Sequence, residues 1–324
     1  MSRGARVRVL DADGPDRQVT IADLDMQAVT PRQLVWADLV APTLDELDDV
    51  AERFRLPVET IRWLALDDDR PRAALHQRYL RLRAIAVEPS PDGPVGRPLG
   101  IVAGWRYVLT VHPEPLDLLG QLDAWLAVDA MVGQLDAAIF LAAILNSVVT
   151  GYFAATDSLE DRVDAVDDDL LGGVPDDVAL NRLVQLRHQA TELRRAITAH
   201  REVFGSLAWA DFEAIAETHA AGRFQLVADR FDRAVDATEN ARDQVVGAFD
   251  VHLARTAQRT NDIVKILTVV SAVLLPGSLV AALLSMNVAT PLPTGDVGVF
   301  WVIVGAIAVF ATVVLAMARR AAWL

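Results

Sequence analysis

Two apolar windows without a charged side chain, residues 266–286 and 297–317, constrain this chain more than any other feature of its sequence. Each supplies the ~20 residues that an α-helix needs to cross the hydrocarbon core of a bilayer. Joined by the short segment 287–296, they are expected to span a membrane rather than to form a hairpin in a soluble core. Arg255, Arg259 and Lys265 precede the first window and Arg319 and Arg320 follow the second, while the segment between carries Asp296 alone. Basic residues are retained on the cytoplasmic side, so both termini are expected there.

At 324 residues the chain exceeds the ~250–300 at which single cores stop growing, so a soluble part and a membrane part are both expected. Hydrophobic residues make up 52% of it, yet Arg and Asp are scattered densely upstream of the windows, which concentrates the apolar excess in them. A net charge of −14 argues against a nucleic-acid partner, because phosphate binding needs a basic face. An acidic domain beside a membrane suits cations better. The absence of cysteine excludes disulfides and thiolate metal or redox sites. "MSRGARVRVLDADGPDR" contains no apolar core, so no secretory leader is expected at this end.

Residues 1–115 read as an α/β domain on the cytosolic side. "RVRVL", "QLVWADL", "YLRLRAIAV" and "WRYVLTVH" have the alternation or β-branched density of strands, and "TLDELDDVAERFRL" places apolar residues at helical spacing behind Thr43, an N-cap candidate. The Pro/Gly-rich "EPSPDGPVGRPLG" between strand patterns reads as a surface hairpin or loop. From Leu116 the strand signals stop, and 116–222 reads as a helical region with antiparallel helices. In "SLEDRVDAVDDDLL", Leu159, Val163, Val166 and Leu170 form one stripe, with Asp161, Asp164, Asp167, Asp168 and Asp169 mostly off it. That acidic stripe is either a solvated face or a rim that attracts cations. "GGVPDD" is a turn that restarts a helix at Asp176 and Asp177. Residues 223–265 continue as a stalk helix into the first span, 266–286; at ~1.5 Å per residue stalk and span together approach ~90 Å. An outer loop 287–296, a second span 297–317 and a cytoplasmic tail 318–324 complete the expected order.

From the end of the stalk into the first span, Val264, Leu267, Ser271, Leu275 and Ser278 recur at steps of three and four and share one face. Such a stripe either lines a pore or packs helices, and Gly277, Ala281 and Ser285 form a small-residue series suited to close packing. Asn287, behind Met286, is either a helix C-cap or an amide presented to a hydrated cation. Mg²⁺ sheds its waters reluctantly, so neutral oxygens suit an entrance better than carboxylates do. No Gly-x-Ser-x-Gly, His-Glu-x-x-His or phosphate-loop pattern is present, so no enzyme is expected.

The order of elements, together with "NDIVKILTVVSAVLLPGSLVAALLSMN", resembles the CorA-type divalent metal ion transporters. Asn261, Lys265, Leu267, Thr268, Pro276 and Ser285-Met286-Asn287 are similar to that family's pattern, in which the last triplet is Gly-Met-Asn. "WADLVAPTLDELDDVAERFRLP", "YVLTVHPEP" and the closing "ARRAAWL" extend the resemblance over nearly the whole chain. It implies an α+β membrane protein in the bacterial inner (plasma) membrane, with an N-terminal cytosolic α/β domain, a helical coiled region and a long stalk helix. The stalk would continue into the first of two C-terminal transmembrane helices. It also implies a homopentamer that conducts Mg²⁺, with Co²⁺ or Ni²⁺, and has no cofactor besides the transported ion. Ser285, Met286 and Asn287 would form the outer mouth, and Val264, Leu267, Ser271, Leu275 and Ser278 would line the pore.

Two departures bear on the ion. Ser285 replaces the family's Gly and Val288 replaces the aromatic residue that commonly follows its Asn. The family's cytosolic sensor carboxylates fall at Arg62, Trp63 and Leu226, leaving Asp67, Asp68 and Asp69 as candidate substitutes or simply a solvated loop. With "ALDDDRPR" and "YLRLRAIAVEP", these departures resemble the ZntB-type zinc transporters, so Zn²⁺ is an alternative cargo and a non-conducting scaffold of the same fold another. Zinc favours nitrogen and sulfur ligands, and His76, His112, His188, His200, His219 and His252 have no chelating spacing.

Overall fold

A strand whose eight residues are all buried organises the N-terminal part of the chain. In the computed structural model, residues 4–65, 70–90, 93–128, 136–171, 175–208, 220–285 and 297–321 are described. The buried strand is β3 (Gln33–Val40), third after β1 (Gly4–Asp11) and β2 (Arg17–Val19). It is followed by α1 (Leu44–Phe54), α2 (Val58–Ala65), β4 (Arg72–Leu75), β5 (Tyr79–Glu88), β6 (Val95–Gly104) and β7 (Tyr107–His112). These strands form one sheet in the order β2-β1-β3-β7-β6-β5-β4. Only the central pair β3 and β7 is parallel, with Val35 opposite Tyr107 and Val40 opposite His112. A strand at such a centre is covered on both faces, which explains why "QLVWADLV" is nearly continuously apolar.

Alternation then assigns the faces. Val7, Val9, Val35, Ala37, Leu39, Leu109 and Val111 pack with Leu47, Val50 and Phe54 of α1 and Ile61 and Leu64 of α2. Thr43 starts α1 with a capping box: its hydroxyl accepts from Glu46 N–H, and the Glu46 carboxylate accepts from Thr43 N–H. The opposite face receives α4 (Ala137–Leu171), which follows α3 (Asp117–Val128). Phe140 packs on Trp36 with ring centroids 5.3 Å apart. Gly151 lets α4 approach β5 so closely that a Cβ there would lie 2.5 Å from the Val87 carbonyl oxygen. The segment read as a surface hairpin or loop joins the antiparallel strands β5 and β6, with β6 beginning already at Val95 and Pro98 paired with Ile85. Pro98 is tolerated because Ile85 directs its N–H away from β6, so the Pro98 nitrogen faces the other edge, where pairing with β7 begins only at Gly100.

α5 (Asp176–Thr198) runs antiparallel to α4, since Arg162 donates to Gln189 at 2.8 Å and Arg182 pairs with Asp169. α6 (Arg201–Ala208) follows, and α7 (Ala220–Ser285) is one helix of 66 residues. Its early turns join α4 through Arg230 to Asn146 (2.6 Å) and the Thr156–Thr238 hydroxyl pair (3.2 Å), and join α6 through stacked Phe204 and Phe231 (4.3 Å). The chain divides into two compact units, Met1–Ala248 and Phe249–Leu324. The second contains the rest of α7 and α8 (Val297–Arg320). Among the described residues, three helices are long and apolar enough to cross a membrane, α4, α7 and α8. The apolar window of α4 is 61% buried, against 6% and 0% for α7 and α8, because the sheet covers it. Two bilayer-spanning candidates therefore remain, both at the C-terminal end.

Candidate functional site

Where α8 packs decides which side of α7 is left uncovered. A Cβ on Gly277 would sit 3.6 Å from Ile307 Cγ2, an ordinary contact that places α8 against this face. Val269 is 6% exposed, and Val273, Pro276, Gly277 and Val280 are half-buried. At ~100° per residue these five project to one side. Val264, Leu267 and Leu275 are 52%, 62% and 66% exposed, Ser278 is exposed, and Ser271 is half-buried. This second group projects roughly 180° away from the first by the same helical geometry. The structure thus brings the five stripe residues together on the face directed away from α8.

Within α7, the hydroxyls bond back to their own helix. Ser278 Oγ donates to Leu275 O at 2.9 Å, Ser285 Oγ to Ala282 O at 2.8 Å and Thr268 Oγ1 to Val264 O at 2.7 Å. A hydroxyl whose proton is so used still offers its lone pairs as acceptors. Pro276 lies inside the helix and contributes no N–H to the carbonyl four residues earlier. Lys265, ahead of the charge-free segment, pairs with Asp262 at 2.9 Å. Ser285 is the last residue of α7; Met286 and Asn287 lie outside the described residues, as do Asp67, Asp68 and Asp69.

The positions outside the charge-free segments behave as their chemistry requires. Arg62 and Leu226 are exposed, and Trp63 lies under two guanidinium groups, Arg81 at 5.2 Å and Arg83 at 4.6 Å from its ring centroid. Among the described residues, no group of three or more His, Asp or Glu could hold a metal ion. Leu159, Val163 and Val166 are buried while Asp161, Asp164, Asp167 and Asp168 are exposed, the pattern of a solvated helix face.

Two histidines have structural partners far away in sequence. His112 Nε2 is 2.9 Å from Asp38 Oδ1 and its Nδ1 is 2.5 Å from Glu114 O, so both ring nitrogens face oxygen acceptors. Thr110 donates to the same Asp38 oxygen at 2.7 Å and accepts from Trp36 Nε1 at 3.1 Å. His200, fully buried, accepts from Ile85 N–H at 2.8 Å through Nε2 and donates from Nδ1 to Ala196 O at 2.8 Å. Burial pushes its pKa down to about 4, against a smaller opposing effect of the Ala196 bond. His76 stacks on Tyr79, and burial followed by the charge of Arg81 lowers its pKa. His188 is exposed beside Glu192, His252 is buried, and His219 lies outside the described residues. The Asp38 and Ile85 contacts carry no local sequence signal, because 74 and 115 residues separate the partners.

Comparison with known proteins identifies the lineage. The family model for the CorA-like Mg²⁺ transporter protein matches residues 31–320. The cobalt/magnesium transport protein CorA of Methanocaldococcus jannaschii is 21% identical over 316 residues, covering 95% of this chain and 97% of that protein. The protein of the same name from Thermotoga maritima is 29% identical over 147 residues, which is 45% of this chain and 41% of the relative. The complete structure of the CorA magnesium transporter from M. jannaschii has the same fold, with a TM-score of 0.82 at 20% identity and full coverage of both chains. The soluble α/β part, the long α7, the two uncovered apolar helices and the match across 31–320 agree, and the chain belongs to the CorA-like Mg²⁺ transporter family.

Proposed function

We propose that this protein assembles as a homopentamer in the bacterial inner membrane and passes a divalent cation passively into the cytoplasm. Mg²⁺ is the principal cargo, with Co²⁺ and Ni²⁺ carried by the same route. The observation that supports this most is the placement of Val264, Leu267, Ser271, Leu275 and Ser278 on the side of α7 away from α8. In a ring of copies that side is available to face the axis, with α8 outside towards lipid. Asn287 and Met286, following Ser285, form the outer mouth and offer neutral oxygens to a hydrated ion. Leu275 and Leu267 are narrow apolar positions suited to a hydrophobic gate. Both termini stay in the cytoplasm, as the basic residues flanking the spans require. An inward-negative potential of 100 mV supplies roughly 4–5 kcal/mol for a divalent ion, so no nucleotide-driven step is needed.

Ion uptake into proteoliposomes tests the reading directly. Mg²⁺ uptake is expected to exceed that of Zn²⁺ and to fall at least about tenfold in Asn287→Ala. Uptake unchanged by that substitution would remove Asn287 from the mouth. A preference for Zn²⁺ would assign zinc as cargo, and no uptake of any divalent ion would leave a non-conducting scaffold.

A further inference from the structure

Burial along the last two helices traces the seam between them. On α8, Ile303, Ile307, Ala311, Val314 and Ala318 are less exposed than the residues that separate them, and recur at helical spacing. On α7 the less exposed side runs from Lys265 and Val269 to Val280, and Gly277 on it meets Ile307. α7 ends at Ser285, eight residues beyond Gly277, and α8 begins at Val297, ten residues before Ile307, so the two helices are antiparallel. Lys265 lies twelve residues before Gly277 and Arg319 twelve after Ile307. At ~1.5 Å per residue both stand about 18 Å from the Gly277–Ile307 contact, at the same end of the pair.

The residues beside the seam form a groove. At ~100° per residue, Ile266 and Val270 lie roughly 60° and 100° round α7 from Val269, and Leu315 and Arg319 lie roughly 60° and 100° round α8 from Ala318. Because the helices are antiparallel, these four residues open on one side of the seam. Ile266, Val270 and Leu315 are 51%, 47% and 44% exposed, so an apolar groove runs from exposed Arg319 into the charge-free segments. Arg320 projects to the far side of α8, roughly 160° from the seam by the same geometry.

Charge selects the occupant. The chain carries −14 overall, yet from Arg255 onward five basic residues stand against Asp262 and Asp296, and Asp296 precedes α8 at the opposite end. Lys265 is occupied by Asp262 at 2.9 Å, whereas Arg319 has no ion-pair partner among the described residues, and residues 321–324 add no ionisable side chain. A guanidinium at the boundary with an apolar groove at bilayer depth fits an amphiphile with an anionic head.

We propose that this groove binds an anionic phospholipid, with its phosphate on Arg319 and an acyl chain along Ile266, Val270 and Leu315. The site is independent of which ion the protein passes. Native mass spectrometry of the full-length protein in detergent tests it, with dioleoylphosphatidylglycerol and dioleoylphosphatidylcholine as probes. The glycerol lipid is expected to bind more tightly than the choline lipid, and glycerol 3-phosphate, which has the phosphate without acyl chains, is not expected to displace it. Arg319→Gln should weaken phosphatidylglycerol binding about fivefold, the effect of one basic residue at an anionic membrane surface. Arg319→Lys should restore most of it. Arg320→Gln removes the same charge from the far side of α8 and should leave binding unchanged. Equal retention of the two lipids, displacement by glycerol 3-phosphate, or equal losses in Arg319→Gln and Arg320→Gln would each overturn the proposal.

Discussion

His200 shows how one side chain joins two parts of the fold. β4 pairs with β5 only as far as Arg83, so the Ile85 N–H lies beyond the last rung and takes the imidazole as its acceptor. Protonation of Nε2 would set a donor against that donor, and burial disfavours the charge as well. The folded-state pKa of about 4 lies below the unfolded value of 6.5, so between these values the unfolded chain binds more protons. The contribution of His200 to stability is therefore complete above pH ~6.5 and declines as pH falls towards ~4, by about 1.4 kcal/mol per pH unit. Thermal denaturation of the full chain at pH 7 and pH 5 checks this. His200→Leu should lower stability at pH 7 by about 1–3 kcal/mol, because it leaves Ile85 N–H buried without its acceptor, and should flatten the pH dependence. An equally steep pH dependence in the variant would place the titration elsewhere.

At the scale of the element, helix ends and helix faces obey different rules. The start of α1 was readable locally: Thr43 followed by Glu46 ahead of an apolar repeat is a capping box, and both reciprocal bonds form. Thr43→Ala is expected to cost about 1 kcal/mol, measured as a lower denaturation midpoint, whereas Thr43→Ser should be nearly neutral. Strands β1, β3, β5 and β7 were legible for a similar reason, since alternation and β-branched density are local properties. β6 was only partly legible, because Gly96, Pro98 and Gly100 normally punctuate loops. Their neighbours β5 and β7 supply the pairing that holds them extended. α7 presents the converse case. Its stripe was visible in the sequence, but periodicity shows only that residues share a side, not what that side meets.

At the scale of the whole molecule, the proposed assembly turns on the face of α7 opposite α8. The chain has no cysteine, so single introduced thiols report proximity without background. Leu275→Cys on the stripe is expected to cross-link between copies under mild oxidation, while Val302→Cys on α8 is not. The two side chains are similarly exposed in one chain, 66% and 71%, so exposure alone cannot produce the difference. Equal cross-linking at both positions would reject the proposed arrangement. The sequence by itself pointed to a membranous C-terminal end, because two charge-free windows of bilayer length lie there with only a short segment between them. Only the tertiary structure decided that the equally telling apolar stretch of α4 is a core helix, since burial by a sheet depends on strands distant in sequence. The same holds for the stripe on α7: which side chains remain uncovered follows from neighbours that chain proximity does not encode.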